Sequence, residues 1–578
     1  MRRDLQTLSN QAFDLLVIGG GIQGACVAWE ATLRGLSVAL VEQGDFASGT
    51  SANSLKVIHG GLRYLQNADF KRMRQSIRER QTLMRIAPHL VHPMPVLVPT
   101  YGHGLKGKEA MTAALKVNDV ISGDRNFALK DPQKQIPSGK ILSKQDCLEQ
   151  LPNLSTEGLT GAALFHDAQV YNSERLVLAF VRSAAQKGAC VANYLQVVDF
   201  IREAGSRVGG AIALDRLSDN RIEIRARAVV NASGPWIGAL MSQVSGEKIA
   251  PKPLAKAMNL VTRPLFEAKT NDGQRCAVGI TGRAPGSRLF FIAPWRDRSL
   301  IGTWYSHNVG SAKPPTVTDR EIEVALVDIN QAYPGFNLTP EDVEWVHAGL
   351  LPGKGKSKRG EVALTKQFEL KDHRKEGFAG LLSVTGVKYT TARDLARRAV
   401  NWVFKEAGQM VAPSTSHKRK LVGGEIEQFT AFLAAARRTH RGQVPTQSLQ
   451  RLVYSYGSEY SAVLQRLAAT GKASDEEILA AEARYGVETE MAQNLSDIVF
   501  RRTELGSAGH PEEMKLKICA DAMGEILGWT EEKRRLEVET VQARFGSSRK
   551  FDAGVQVLAQ DAAKATIQNT TREAVASV

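Results

Sequence analysis

The sequence predicts an α/β chain in which a parallel-sheet unit is interrupted by an antiparallel sheet and followed by an all-α C-terminal domain. Three observations carry this. Near the N-terminus, "FDLLVIGGGIQGACVAWEATLRGLSVALVEQGD" passes from an apolar run to a glycine turn, a helical period and a second apolar run. In the middle, "AKAMNLVTR" and "SRLFFIAPWRDRSLIGTWYSH" read as strands of an antiparallel sheet, with Arg296 and Asp297 in a turn. Beyond about residue 424 the pattern is helical throughout, with starts such as Ser474 ahead of Glu477 at capping-box spacing.

The elements follow in order. Phe13 to Ile18 is expected as a buried strand, Ala25 to Arg34 as a helix and Ser37 to Glu42 as a second buried strand. Asp69 caps a helix whose Phe70, Met73, Ile77 and Met84 keep helical spacing, with Pro88 just past its end. The chain is more irregular from about Pro93 to Leu164. "SERLVLAFVRSAAQKGACVANYLQVVDFI" then gives a helix and a strand, and "ARAVVNASGPW" a buried strand ending in a glycine turn. "LLSVTGVKYTTARDLARRAVNWVF" returns to strand, glycine turn and helix, and "GQMVAPSTSHKRKLVGG" is a polar linker. The expected division is 1–92, 165–240 and 345–408 for the cofactor domain, 93–164 and 241–344 for the substrate domain, 409–423 for the linker, 424–550 for the helical domain and 551–578 for a tail.

With 578 residues the chain holds two or three domains and a sizeable core. No run approaches the roughly 18 to 20 apolar residues of a membrane-spanning helix, and no small-residue cleavage site follows the basic N-terminus. The five cysteines are scattered without metal-ligand spacing, which suits a reducing compartment, and no metal is expected. The expected location is therefore cytoplasmic. A net charge of +15 favours an anionic partner, either a phosphorylated substrate or a membrane surface. No lysine/arginine block is interleaved with aromatics, so nucleic acid is the weakest of the anionic partners and none is expected.

Gly19, Gly21 and Gly24 form G-x-G-x-x-G between strand and helix: a tight turn, close approach of a pyrophosphate, and close helix–strand packing. The helix N-terminus supplies N–H groups and a favourable dipole for phosphates. Glu42 closes the second strand 18 residues past Gly24, where a carboxylate accepts from ribose hydroxyls. Ala28 and Gly35 fit the same dinucleotide-binding, Rossmann-like unit. The N-terminal placement, with a second strand-turn-helix at "LLSVTGVKYTTARDLA", points to FAD rather than NAD.

The stretch "IGGGIQGACVAWEATLRGLSVALVEQGDFASGTSANSLKVIHGGLRYL" closely resembles the N-terminal signature of the FAD-dependent glycerol-3-phosphate dehydrogenases, approximately D-F-(A/S)-x-G-T-S-S-x-S-x-K-L-(I/L)-H-G-G-L-R-Y-L in that family. "VVNASGPW", "LLSVTGVKYTTARDLA" and "VFRRTELG" continue the resemblance over most of the chain. It implies an FAD-binding Rossmann-like domain with an inserted antiparallel-sheet substrate domain, as in glutathione reductase and amino-acid oxidases, and an all-α C-terminal domain. It implies oxidation of a secondary alcohol to a ketone, with electrons passed to quinone or to oxygen. It also leaves open a homodimer and a peripheral place on the inner face of the cytoplasmic membrane.

Carried over position by position, His59, Arg63, Tyr64 and Lys388 match residues at the substrate end of the flavin and are the catalytic candidates. An imidazole suits removal of the hydroxyl proton, and the cations suit a developing alkoxide. The cofactor candidates are Gly19, Gly20, Gly21, Gly24, Glu42, Gln43, Thr50, Ser51, Lys56, His59, Gly60, Gly61, Val197, Ala232, Gly234, Gly386, Lys388, Tyr389 and Thr390. In "SLKVIHGGLRYL", Gly60 and Gly61 are expected to let the backbone pass close to the flavin ring.

The resemblance breaks at the phosphate end. The family segment W-x-x-x-G-x-R-P is "WVHAGLLPG" here, with Leu351 at the arginine position, and a second family arginine aligns with Lys366. "GTTD" becomes "GTWYS", and V-D-D-A-R-L becomes "VYNSERL" with Asn172 and Ser173. Leucine supplies no donors, and lysine lacks the planar fork of arginine. Either Lys354, Lys356, Lys358 and Arg359 take over the phosphate, or the substrate carries none there. Leu351, Lys366, Trp304 and His347 are the substrate-site candidates, with Tyr305 beside Trp304. The expected function is oxidation of sn-glycerol 3-phosphate, or a close polyol phosphate, to the ketone (dihydroxyacetone phosphate) by hydride transfer to flavin. The alternatives are a flavoprotein acting on a different hydroxy compound or an amine, and an FAD-bearing binding or nucleic-acid-modifying protein.

Overall fold

A computed structural model describes residues 1–546 apart from 105–106, 204–205, 246–252, 271, 283–288, 309–314, 357–361, 366 and 468–470. Lys358, Arg359, Lys366 and the tail 551–578 lie outside the described residues, as do the side chains of Lys354 and Lys356.

Two sheets organise the N-terminal three-quarters of the chain. In the first, five parallel strands run in the spatial order Leu381–Thr385, Arg221–Asn231, Phe13–Ile18, Val38–Val41, Cys190–Ala192. Phe13–Ile18 and Val38–Val41 are almost continuously apolar because helices and loops cover both faces of a parallel sheet. The Ile22–Leu33 helix packs on one face against Ser173–Gln186 and Ala392–Glu406. It starts three residues earlier than its apolar pattern suggests, because Gly21 already serves as its N-cap. An antiparallel hairpin, Leu195–Arg202 with Val208–Asp215, extends the first half of Arg221–Asn231.

The second sheet has the order Val362–Leu364, Val343–Lys356, Leu254–Thr262, Arg298–Asn308, Leu289–Trp295, Ala277–Thr281, Val91–Tyr101, Leu159–Val170, Val57–Ile58. The expected strands at 254–262 and 289–308 are there, paired antiparallel. Three pieces assigned from sequence to the cofactor domain pair in this sheet instead: Val57–Ile58, the end of Leu159–Val170, and Val343–Lys356. Backbone pairing decides their membership, and alternating apolar patterns do not say which partner a strand takes. The outer face of this sheet is covered by the Asp319–Ala332 helix, whose Ile322, Ala325, Leu326 and Ile329 are buried.

The Phe70–Ile86 helix is capped by Asp69, which accepts from the Arg72 N–H at 3.0 Å. Met73, Ile77 and Met84 are buried, but Phe70, on the same spacing, is half-exposed because it opens the first turn beyond the packed face. The polar stretch after the Ala392–Glu406 helix is strapped along the first domain: Leu421 N–H donates to Ile86 O at 2.9 Å and Val422 N–H to Ser183 Oγ at 2.9 Å. Beyond it come helices including Phe429–Thr439, Thr446–Tyr456, Asp475–Glu490, Glu513–Leu527 and Glu531–Gly546. Ser474 and Glu477 form the capping box expected of them. Phe500 and Phe545 pack on Trp345 of the second sheet, so the helical domain touches that sheet.

Candidate active site

The C-terminal ends of Phe13–Ile18, Val38–Val41 and Arg221–Asn231 converge on the glycine turn. Gly19 has φ +105, and a Cβ there would stand 2.7 Å from Ala232 O. A Cβ on Gly24 would stand 1.9 Å from Gly19 O, so the helix approaches its strand too closely for any side chain. A Cβ on Gly20 would fill the space beside Phe46 and Glu42. Glu42 is half-buried at the strand end and accepts from Gly20 N–H at 2.6 Å and Gly44 N–H at 2.9 Å. Burial raises its carboxyl pKa, opposed by these two N–H groups. Ser51 Oγ accepts from Ile22 N–H at 3.0 Å in the first turn of the helix. Gln43 follows Glu42 at the mouth, and its carbonyl accepts from Arg216 at 3.5 Å.

The second strand-turn-helix meets this region. Gln23 Nε2 donates to Gly386 O at 2.9 Å, while Gln23 Oε1 and Asn231 Nδ2 are buried without a hydrogen-bond partner. Tyr389 OH donates to Ser173 O at 2.6 Å, and Thr390 is buried just before the Ala392–Glu406 helix. A glycine cradle, a helix start capped by glycine, a carboxylate at the second strand end and orphaned amide atoms between the two turns fit a dinucleotide such as FAD. Gly234 has φ +61 and open space where a Cβ would be. Val197 contributes its side chain to the apolar core with Ile18, Val41 and Leu195, leaving only its backbone for a ligand.

The segment 50–64 runs from that cradle across to the second sheet. Thr50 Oγ1 donates to Leu350 O at 2.9 Å and receives Leu350 N–H at 3.1 Å. Lys56 is fully buried at φ +58, with Nζ donating to Ala52 O at 3.2 Å, Ser173 Oγ at 3.1 Å and Glu174 Oε2 at 3.0 Å. Burial lowers its pKa, and the Glu174 charge opposes this. The structure thus spends the Lys56 amine on an internal ion pair under the 50–56 loop. Glu174 stands in the segment where the family's Asp-Asp pair is lost. A buried ammonium needs a counter-charge, and Glu174 provides it.

His59 projects from the end of this segment with its side chain half-exposed. Its Nδ1 lies 2.8 Å from Asp167 Oδ2, and Asp167 Oδ1 receives Gly60 N–H at 2.6 Å and Arg80 Nη1 at 3.2 Å. Burial would raise the Asp167 pKa, but His59, Arg80 and the Gly60 N–H together hold it below the usual carboxylate range. An ionised Asp167 accepts a hydrogen bond from Nδ1–H, which selects the tautomer with its lone pair on His59 Nε2. Phe291 packs edge-on against the ring at 5.7 Å between centroids. Gly60 is glycine because the Arg80 guanidinium occupies its Cβ position, at 2.2 Å, and Gly61 has φ +92 beside Met73. The Arg80–Asp167 support of His59 thus gives Gly60 a structural reason to be glycine, alongside the close passage past a flavin ring expected of the pair.

Lys388 Nζ lies 4.3 Å from the Tyr64 ring centroid, and the Arg72 guanidinium 4.9 Å from it. The structure thereby brings together two candidates from distant parts of the chain. Arg63 is exposed on the same 3₁₀ turn, Leu62–Asn67.

The substrate-site candidates separate. Trp304 is removed from the pocket: it lies in the outer core, 4.9 Å from Phe290, with Nε1 donating to Asp328 at 3.3 Å. Alternation along the strand puts Trp304 and Phe290 on the helix-covered face and Tyr305 on the opposite one. His347, Gly349 and Leu351 share the inner face, since a Cβ on Gly349 would meet Thr50 at 2.8 Å. His347 is buried with Nδ1 3.3 Å from Asn53 Oδ1, Nε2 unpartnered, and its ring against Trp295. Burial, then Lys56 and Arg296, hold its pKa well below the imidazole range, so it is neutral. It braces the 50–56 loop from behind. Leu351 is half-buried on the inner face. Sequence reasoning missed Asp167, Arg80 and Asp45. Glu174 had a legible signal, a carboxylate one position beyond a lost Asp-Asp pair, whereas Asp167 in "LFHDAQV" has none.

Known proteins resemble this chain over most of its length. Residues 14–387 match the FAD dependent oxidoreductase family, and residues 414–534 match the C-terminal domain of alpha-glycerophosphate oxidase. A glycerol-3-phosphate dehydrogenase of Synechocystis sp. is 29% identical over 92% of this chain and 96% of its own. The mitochondrial glycerol-3-phosphate dehydrogenase of Rattus norvegicus is 30% identical over 93% of this chain and 74% of its own. The crystal structure of the glycerol-3-phosphate dehydrogenase from Bacillus halodurans complexed with FAD superposes with TM-score 0.73 and 26% identity, covering 94% of this chain and 98% of that one.

Proposed function

From a chain that belongs to the FAD dependent oxidoreductase family, with the C-terminal domain of the alpha-glycerophosphate oxidases, we infer an FAD-dependent glycerol-3-phosphate dehydrogenase. It oxidises the secondary alcohol of sn-glycerol 3-phosphate to the ketone. The observation that carries the chemistry is the His59–Asp167 pair at the junction of the two sheets.

When bound, FAD supplies the two-electron acceptor for the hydride of the carbinol carbon. The residues of the chain do the rest. Asp167 holds Nδ1 of His59, so that Nε2 accepts the hydroxyl proton, and the Asp167 charge stabilises the imidazolium that results. Arg80 and the Gly60 N–H keep Asp167 ionised and in place. Lys388, over Tyr64, and Arg63 place positive charge at the mouth of the site for the alkoxide and the substrate phosphate. Phe291 walls the ring of His59 on the sheet side. Glu42, Ser51 and the Gly19–Gly24 turn are the cofactor's ribose and pyrophosphate contacts in this reading.

We place quinone as the electron acceptor, with oxygen second, and a peripheral position on the inner face of the cytoplasmic membrane. A net charge of +15 supports this, and so do Val117, Val120 and Phe127, exposed beside Lys116 and Lys130. Among the described residues no helix is long and apolar enough to cross a membrane.

Leu351 on the inner face favours a second reading, in which the oxidised alcohol carries no phosphate at that position. Anaerobic reduction decides between them. Adding sn-glycerol 3-phosphate should bleach the visible flavin band of the holoenzyme, while glycerol leaves it intact. A band that persists with glycerol 3-phosphate but is discharged by another polyol, hydroxy acid or amine defeats the first reading.

A further inference from the structure

Glu42 and Asp45 stand three positions apart on the turn that closes the ribose end of the cofactor site. They are held by different parts of the chain. Glu42 accepts from the glycine turn, as described. Asp45 is wholly buried and accepts from Arg502 Nη1 at 2.7 Å, Arg502 Nη2 at 2.8 Å, Arg501 Nε, and Asn193 Nδ2 at 3.1 Å. Both arginines come from the π-helical turn Ile498–Arg502 of the C-terminal domain. Burial alone would raise the Asp45 pKa, but Arg502 and Arg501 hold it well below the carboxylate range. The turn is otherwise fastened by the backbone bonds Ala47 N–H to Gly20 O at 3.1 Å and Tyr194 N–H to Gly44 O at 2.8 Å, and by Arg216 Nη1 to Gln43 O at 3.5 Å. A bidentate guanidinium fixes a carboxylate in direction as well as position. Asp45 is therefore the one link in this turn whose place is set by the helical domain's side chains among the contacts described.

We propose that Arg501 and Arg502 are positioning residues for the dinucleotide: by gripping Asp45 they hold the 42–47 turn where Glu42 can receive the ribose hydroxyls. The C-terminal domain thereby sets the cofactor affinity of the N-terminal one. The inference rests on the FAD reading of the glycine cradle.

Titration of the apoprotein with FAD, followed by flavin fluorescence, tests it. Arg502→Lys keeps the charge and loses the fork, and should raise the FAD Kd about tenfold or more. Arg182→Lys makes the same change at the same domain contact: Arg182 bonds Glu490 at 3.2 Å, whose carbonyl also receives Arg502 Nη2 at 2.9 Å, and Tyr485 OH at 2.7 Å, but among the described residues it makes no bond to the 42–47 turn. Both apoproteins should melt lower than wild type, but Arg182→Lys should keep a wild-type FAD Kd. Equal weakening by the two variants, or an unchanged Kd for Arg502→Lys, overturns the proposal. Hydrogen exchange on the unmodified chain gives a reading that needs no variant to fold. FAD should slow exchange in residues 498–502 as well as 42–47, and protection confined to the N-terminal segments overturns the proposal. A wild-type apoprotein that takes up no FAD defeats the cofactor reading itself, a result separable from one in which wild type binds and the two variants behave alike.

Discussion

Nδ1 of His59 lies 2.8 Å from a carboxylate oxygen of Asp167, a residue 108 positions further along the chain on a different strand. The pair fixes which imidazole nitrogen carries the lone pair in the proposed site. Asp167→Asn keeps the shape and removes the charge that selects the tautomer. We expect kcat to fall about a hundredfold or more with a much smaller change in KM. His59→Asn should cost about as much, and the double variant little more than either alone, because the two act as one unit. Steady-state kinetics on the four proteins checks this. Additive losses would show that the residues act separately.

Lys388 and Leu351 test the phosphate end. Removing a charged hydrogen bond costs about 1.5–3 kcal/mol, or about tenfold and upward in an equilibrium. Lys388→Met should therefore raise KM for glycerol 3-phosphate about tenfold. Leu351→Arg, on the inner face, should lower KM for the phosphorylated substrate and leave unphosphorylated polyols unaffected. An unchanged KM in Leu351→Arg would show that this position does not face the phosphate.

The Lys56–Glu174 pair is buried, at 0% and 1% side-chain exposure. Removing one member leaves the other uncompensated, so Lys56→Met should destabilise the protein by about 3–5 kcal/mol. The double variant Lys56→Met with Glu174→Gln should recover most of that loss in urea unfolding. No recovery would mean that Lys56 acts through contacts other than Glu174.

Lys134 supplies a pH dependence. Its amine is buried against Val91 O at 2.9 Å and His92 Nδ1 at 2.7 Å, and burial first, with Lys420 adding and Asp131 opposing, pulls its pKa down to about 7. Between that value and the unfolded lysine pKa, the unfolded chain binds the extra proton. The contribution of Lys134 to stability therefore improves as pH rises from about 7 toward about 10, and is constant and unfavourable below that window. Relative to Lys134→Met, the wild type should gain stability over that range. Parallel stability curves for the two proteins would contradict the assignment.

Much of the cofactor half was legible in advance. Glycines at 19, 21 and 24 followed by Glu42 have local reasons to sit where they do, since a turn, a close helix and a strand end all lie within thirty residues. The half built by pairing was harder to read. Val343–Lys356 carries His347, Gly349 and Leu351, and its alternation shows that they share a face. Nothing in that alternation says that the face meets Thr50, or that Trp304 two strands away points to the opposite side.

The sequence by itself determined the dinucleotide unit and the expected class of reaction, and it singled out His59 as a candidate, because those rest on short-range backbone demands and on a long contiguous motif. Only the tertiary structure decided what supports them. Asp167 comes to His59 across the second sheet, Glu174 comes to Lys56 from a following helix, and Arg502 reaches Asp45 from the far end of the chain. Each is a buried charge whose partners come from another part of the fold. The partner of a buried charge is set by which surfaces close over it, and that is decided when the domains pack.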